Sequence, residues 1–145
     1  MIKSVIYNSF DPFHIGHVSL IEKALKISDK VIIAIKPEKK SIFDIHDIER
    51  LINGYFKYNK RILTLICFGD FKLFCIHNGI KLICGSFQEM CDYDFKKLPE
   101  DIDYVLFHNK HNYLSTEFIK GKIQDGKINE IKNFLICSND VYKAF

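Results

Sequence analysis

Short apolar runs recur along the chain, each separated from the next by a stretch patterned for a helix. Ser4 to Tyr7 is the first run. Val18, Ile21, Ala24 and Leu25 then recur at helical spacing, with Glu22, Lys23 and Lys26 on the other side, which predicts a helix over Val18 to Ile27. Val31-Ile32-Ile33-Ala34-Ile35 is continuously apolar, as suits a parallel strand covered on both faces. Ile45, Ile48, Leu51, Ile52 and Phe56 predict a second helix, with Asp44 as its cap and Asp47 in its first turn. Ile62 to Cys67 predicts a third strand, and Phe71 to His77 a short helix stopped at Asn78-Gly79. Ile80 to Cys84 predicts a fourth strand, ended by Gly85-Ser86. A helix over Met90 to Leu98, a strand over Tyr104 to Phe107 and a helix opening within Leu114 to Lys120 continue the alternation. Asp125-Gly126-Lys127 reads as a turn, and Ile128 to Phe145 mixes a weak helix with an apolar piece. The pattern predicts an α/β fold: a Rossmann-like, doubly wound sheet of five parallel strands with helices on both faces, as one domain over residues 1–145.

One connection stands apart. Between the first strand and the first helix lies Asn8-Ser9-Phe10-Asp11-Pro12-Phe13-His14-Ile15-Gly16-His17. A strand that runs through a polar, glycine-bearing turn into a helix is a geometry for handling phosphate. The amides of a helix start have no intrahelical partner, and the dipole there favours an anion. Gly16 has no side chain, so a phosphate or base can approach the backbone. His14 and His17 flank it, and imidazoles can donate protons toward developing negative charge. A second polar stretch, Lys36-Pro37-Glu38-Lys39-Lys40-Ser41, follows the second strand at the carboxyl end, where open α/β sheets bind ligands.

Composition narrows the partners only a little. The net charge of +3 suits an anionic small molecule and is too weak to argue for nucleic acid. The chain has 5 cysteines in no C-x-x-C pair, and several lie in apolar runs, so buried free thiols in a reducing cytoplasm are expected. The first expected strand starts so close to Met1 that no targeting segment is expected, and no apolar run approaches membrane-spanning length.

The segment Asp11-Pro12-x-His14-x-Gly16-His17 after a first strand resembles the signature of the HxGH nucleotidyltransferase superfamily, in which the last histidine is catalytic. The run from Gly69 to Gly85, leading into Cys91-Asp92-Tyr93-Asp94-Phe95, resembles the phosphopantetheine adenylyltransferase family, which has there a short helix, a strand, an R-G-x-R segment and a D-F-E-Y-like stretch. Leu114 to Lys120 resembles the start of that family's ATP-binding helix, a feature shared with nicotinamide mononucleotide adenylyltransferases and glycerol-3-phosphate cytidylyltransferases.

The resemblance implies transfer of the adenylyl group of ATP to 4'-phosphopantetheine, giving dephospho-coenzyme A and pyrophosphate, with magnesium accompanying the ATP. It implies a catalytic His17, with His14 as a second phosphate donor and Lys39 orienting the acceptor phosphate. It implies that Ser9 holds the attacking phosphate, that Phe10 lends backbone contacts to ATP, and that Gly16, Gly85, Ser115, Thr116 and Lys120 belong to the nucleotide site. It also implies a cytoplasmic homo-oligomer, a hexamer in the family.

The chain departs from the family at Cys84-Gly85-Ser86-Phe87-Gln88, where both arginines of R-G-x-R are gone. Neither Cys nor Gln replaces a bidentate, charged contact. Lys96, Lys97, Lys120 and Arg50 are candidates to supply the lost charge. The loss leaves two other readings open: the same chemistry on another acceptor, such as nicotinamide mononucleotide or a polyol phosphate, and a non-catalytic nucleotide-binding module.

Overall fold

The computed structural model describes residues 1–86, 100–108 and 116–130. Five strands form one sheet: β1 (Lys3–Asn8), β2 (Lys30–Ile35), β3 (Ile62–Ile66), β4 (Leu82–Ser86) and β5 (Asp103–Phe107). Their order is β3-β2-β1-β4-β5, and every neighbouring pair is parallel. The chain therefore winds outward from β1 to one edge, returns, and builds the other half. The expected doubly wound architecture is the one observed.

The helices are α1 (Ile15–Ile27), α2 (Ile45–Tyr55), α3 (Phe71–His77) and α4 (Thr116–Gln124), with a short 3-10 turn at Ile128–Glu130. Successive strand side chains point to opposite faces, so each apolar strand feeds two cores. Ile6, Val31, Ile33, Ile35 and Cys84 pack with Ile21 and Ala24 of α1, Ile48 and Ile52 of α2, and Ile119 and Ile123 of α4. Val5, Ile32, Ala34 and Ile83 pack on the other side with Phe71 and Cys75 of α3. The continuous apolar run of β2 is buried from Val31 to Ile35 because both faces are covered.

Two boundaries differ from expectation in ways that bear on function. Helix α1 begins at Ile15, so Gly16 and His17 lie inside its first turn. Strand β4 runs two residues further than expected, because Gly85 pairs with Leu106 and Ser86 with Phe107 and neither breaks the ladder. The expected helix over Met90 to Leu98, Cys91, Cys137 and most of the tail after Ile128 lie outside the described residues. Cys67, Cys75 and Cys84 are buried and unpaired, as expected of apolar-run thiols. Burial pushes the Cys75 thiol up to about 12 and the Cys84 thiol up to about 11, so neither is a nucleophile near neutral pH. Among the described residues no helix is long and apolar enough to cross a membrane.

Candidate active site

β1 and β2 end side by side, with the Lys36 amide donating to the Asn8 carbonyl at 2.8 Å. From that carboxyl edge the chain turns through Ser9 to Phe13 into α1. Phe10 sits at φ +50°, in the left-handed region that an aromatic residue rarely adopts. Its ring is fully buried, edge-on to His17 at 4.8 Å and to Phe13 at 6.1 Å. That burial holds a conformation which would otherwise cost about 1–3 kcal/mol. The Phe10 amide donates to the Asn8 side-chain oxygen at 3.1 Å. The expected backbone contact of Phe10 to a nucleotide is thus left to its carbonyl, since its N–H is engaged.

The amino end of α1 is closed by the two imidazoles. The Gly16 amide donates to His14 Nδ1 at 3.1 Å, and the His14 amide donates to His17 Nδ1 at 3.2 Å. This reciprocal arrangement does with rings what a capping box does with a hydroxyl and a carboxylate. An Nδ1 that accepts a hydrogen bond places the ring proton on Nε2. The rings stack at 3.7 Å, and both residues are 1% exposed. Burial, reinforced by the neighbouring His14 ring, holds the His17 imidazole well below its ordinary value of 6.5. His17 is therefore a neutral donor, and its Nε2 is buried with no hydrogen-bond partner among the described residues. A buried, unspent N–H at a helix amino terminus is suited to meeting an anion.

Next to the turn lies a cavity of about 460 Å³, lined by Ser9, Lys36, Glu38, Lys39, Ser41, Asp44 and Phe68 and by the apolar Ile42, Phe43, Ile45 and Ile48. It brings together Ser9 and Lys39, two residues named from the sequence. It offers the Lys36 and Lys39 cations, two hydroxyls and the Glu38 and Asp44 carboxylates beside an apolar wall. Lys39 is exposed and Ser9 half-buried.

Helix α4 is seated by Ile119, which is fully buried. Its Lys120 ammonium lies 3.2 Å from the Asp11 carboxylate, and the lysine side chain is 17% exposed. Of the two candidates within the described residues to supply the lost arginine charge, Lys120 is the one placed at the histidine turn. Arg50 instead pairs with Asp47 on its own helix face and is largely exposed. Lys96 and Lys97 lie outside the described residues, as does Ser115. Thr116 is the first residue of α4. Gly85 is buried near the carboxyl end of β4.

Asp11 was singled out by the sequence only as part of a motif. Its carboxylate accepts the Ile42 amide at 2.8 Å and the Phe43 amide at 2.9 Å, besides facing Lys120. Sequence spacing could not signal contacts across 31, 32 and 109 positions. No group of three His, Cys, Asp or Glu among the described residues could hold a metal, and both oxygens of the buried Asp11 are engaged.

Comparison with known proteins matches residues 5–63 to the Cytidylyltransferase-like family, a span covering most of β1, the histidine turn, α1, β2 and α2. A phosphopantetheine adenylyltransferase of Clostridium botulinum (strain Langeland) is 31% identical over 133 residues, covering 82% of this chain and 80% of that protein. The protein of the same name from Clostridium tetani is 30% identical over 129 residues, covering 81% of each. A crystal structure of a bifunctional NMN adenylyltransferase/ADP ribose pyrophosphatase from Francisella tularensis superposes with a TM-score of 0.72 at 24% identity, over 94% of this chain and 45% of that one. That likeness is one of fold.

Proposed function

This chain belongs to the phosphopantetheine adenylyltransferase family of nucleotidyltransferases, and on that footing we propose that it transfers the adenylyl group of ATP to the phosphate of 4'-phosphopantetheine. The products are dephospho-coenzyme A and pyrophosphate. The observation that carries the reading is the pair of imidazoles at the start of α1, whose Nδ1 atoms serve the fold while the Nε2 of neutral His17 is left to serve a ligand.

On this reading the acceptor occupies the cavity beside the turn, its phosphate held by Lys39 and Ser9 and its chain against the apolar wall. A phosphate oxygen attacks the α-phosphorus in line, a bond to the acceptor oxygen forms, and the bond to the pyrophosphate oxygen breaks. Little covalent work is asked of the protein, so positioning and charge stabilisation carry the step. His17 Nε2–H donates to an α-phosphate oxygen as negative charge builds there, and His14 stands beside it as a second donor. Gly16, Thr116 and Ser115 are assigned to nucleotide binding by the family resemblance. Magnesium enters as part of the MgATP substrate, carried by the phosphates. The three buried thiols suit a cytoplasmic setting, and a homo-oligomer is part of the same proposal.

A second reading is favoured by one observation: the absent arginines at Cys84-Gly85-Ser86-Phe87-Gln88. It keeps the chemistry and changes the acceptor to nicotinamide mononucleotide or a polyol phosphate. Pyrophosphate release, measured with ATP and CTP against each acceptor and checked by product mass, separates the two. Adenylylated pantetheine phosphate is the expected product. A product formed only with another acceptor moves the assignment to the second reading, and tight nucleotide binding without pyrophosphate release makes the chain a binding module.

A further inference from the structure

Asp11 occupies a place that no nucleotide or acceptor contact explains. It is fully buried. Its Oδ2 accepts the Ile42 amide at 2.8 Å and faces the Lys120 ammonium at 3.2 Å, and its Oδ1 accepts the Phe43 amide at 2.9 Å. Ile42 and Phe43 are walls of the cavity that also holds Ser9 and Lys39. Lys120 comes from α4. One carboxylate therefore joins three pieces of chain: the turn that carries His14 and His17, the cavity loop, and α4.

We propose that Lys120 and Asp11 are a pair of positioning residues for the acceptor cavity, with Lys120 acting through Asp11 and not as a ligand of the nucleotide. The argument is one of charge and of hydrogen-bond partners. A buried carboxylate needs a counter-charge and donors, and the Lys120 ammonium and the Ile42 and Phe43 amides supply them here. Removing the ammonium leaves a buried negative charge without its counter-charge and unsettles the side chain on which both amides depend. The loop that shapes the cavity is then released at that point. Lys120 so sets, from α4, the wall against which the acceptor lies. This assignment rests on the reading of that cavity as the acceptor site.

The experiment uses the full chain and the variants Lys120→Met, Lys120→Arg and Asp11→Asn. Amide hydrogen exchange is read at Ile42 and Phe43, with the Val31 amide, which donates to the Arg61 carbonyl at the amino edge of the sheet, as internal reference. In Lys120→Met, exchange at Ile42 or Phe43 rises by about tenfold or more, as expected for loss of a buried hydrogen bond, while Val31 is unchanged. Lys120→Arg restores the wild-type rates. Asp11→Asn, which keeps one accepting oxygen, frees one of the two amides and serves if the methionine variant does not fold. In steady-state kinetics with ATP and 4'-phosphopantetheine, Lys120→Met raises the acceptor KM by about tenfold and leaves the ATP KM within about twofold. Unchanged exchange at both amides overturns the tether. A raised ATP KM with an unmoved acceptor KM makes Lys120 a nucleotide ligand and overturns the proposal. A wild-type protein without turnover refutes the assigned reaction instead, and the exchange rates still decide the pair.

Discussion

Helix α1 is closed at its two ends by different chemistry. At the amino end, two imidazoles each take one backbone amide through Nδ1. At the carboxyl end, Arg61 reaches in from before β3. Its Nη2 donates to the Leu25 carbonyl and, at 2.7 Å, to the Ser28 carbonyl, and its Nε donates to the Asp29 carbonyl at 3.2 Å. Both ends satisfy groups that a helix leaves without partners. The guanidinium can act only as a donor, and donors are what the helix end needs, so its work there is finished when the carbonyls are met. An imidazole has two nitrogens of opposite character when neutral. One can be given to the fold while the other keeps a proton for a ligand. The ends also differ in burial: His14 and His17 are enclosed, whereas Arg61 is exposed. A helix end built for stability alone thus looks unlike one that keeps a donor in reserve.

The largest effect should come from separating the two nitrogens of His17. Asparagine places an oxygen near the Nδ1 position and nothing at Nε2. We expect His17→Asn to keep the His14 amide satisfied and to lower turnover by roughly two to three orders of magnitude, the loss seen when a single transition-state donor is removed. Glutamine does the reverse, with an amide donor near Nε2 and no acceptor for the His14 amide. His17→Gln should retain more turnover and lose about 1 kcal/mol of stability with the cap. Pyrophosphate release and denaturant unfolding on the same two preparations check both halves. Turnover of His17→Asn close to wild type would remove His17 from the reaction. Alanine is the poorer probe here, because it takes away both nitrogens and opens a hole beside Phe10 and Phe13.

The matching change at the other end is Arg61→Ala. Three carbonyls lose a charged donor at an exposed site, which should cost about 1–2 kcal/mol of stability. Turnover below the melting temperature should not change. Urea unfolding beside a rate measurement decides it, and a large fall in kcat with little loss of stability would mean that the two ends are not divided as described.

How far the sequence foretold this can be argued from the same residues. The apolar runs named all five strands, most plainly where a strand is buried on both faces and has no polar positions to disguise it, as Val31 to Ile35 illustrate. The motif located the histidine turn. The start of α1 was misplaced by three residues because apolar spacing does not register a helix capped by imidazoles. The end of β4 was misplaced because Gly85-Ser86 has the composition of a break, and only pairing with Leu106 and Phe107 overrides it. Lys120 read as one more nucleotide contact by resemblance. Its ion pair with Asp11 spans 109 positions, and the two amides that Asp11 accepts lie in a loop whose side chains reveal nothing of their backbone. Chemistry held in side-chain identity was legible, and chemistry held in main-chain amides was not.

The smallest effect is one of pH, and it too divides the two ends. His17 in the folded chain is held well below 6.5, chiefly by burial and then by the His14 ring. In the unfolded chain it titrates near 6.5. Above that pH neither state binds the proton, and His17 adds no pH dependence. As pH falls below it, the unfolded chain takes up a proton that the folded chain refuses. Stability is therefore lost on acidification, with a slope of up to about 1.4 kcal/mol per pH unit, until the folded value is reached. The guanidinium at the other end stays charged throughout and contributes no such slope. Between pH 7.5 and pH 5.5, wild type should lose about 1 kcal/mol more than His17→Asn, and Arg61→Ala should track wild type with a constant offset. Urea midpoints at the two pH values measure the differences, and the histidines that do not touch His17 cancel in the comparison. Parallel curves for wild type and His17→Asn would mean that His17 binds its proton in the folded state, and the neutral donor at the head of α1 would be lost with it.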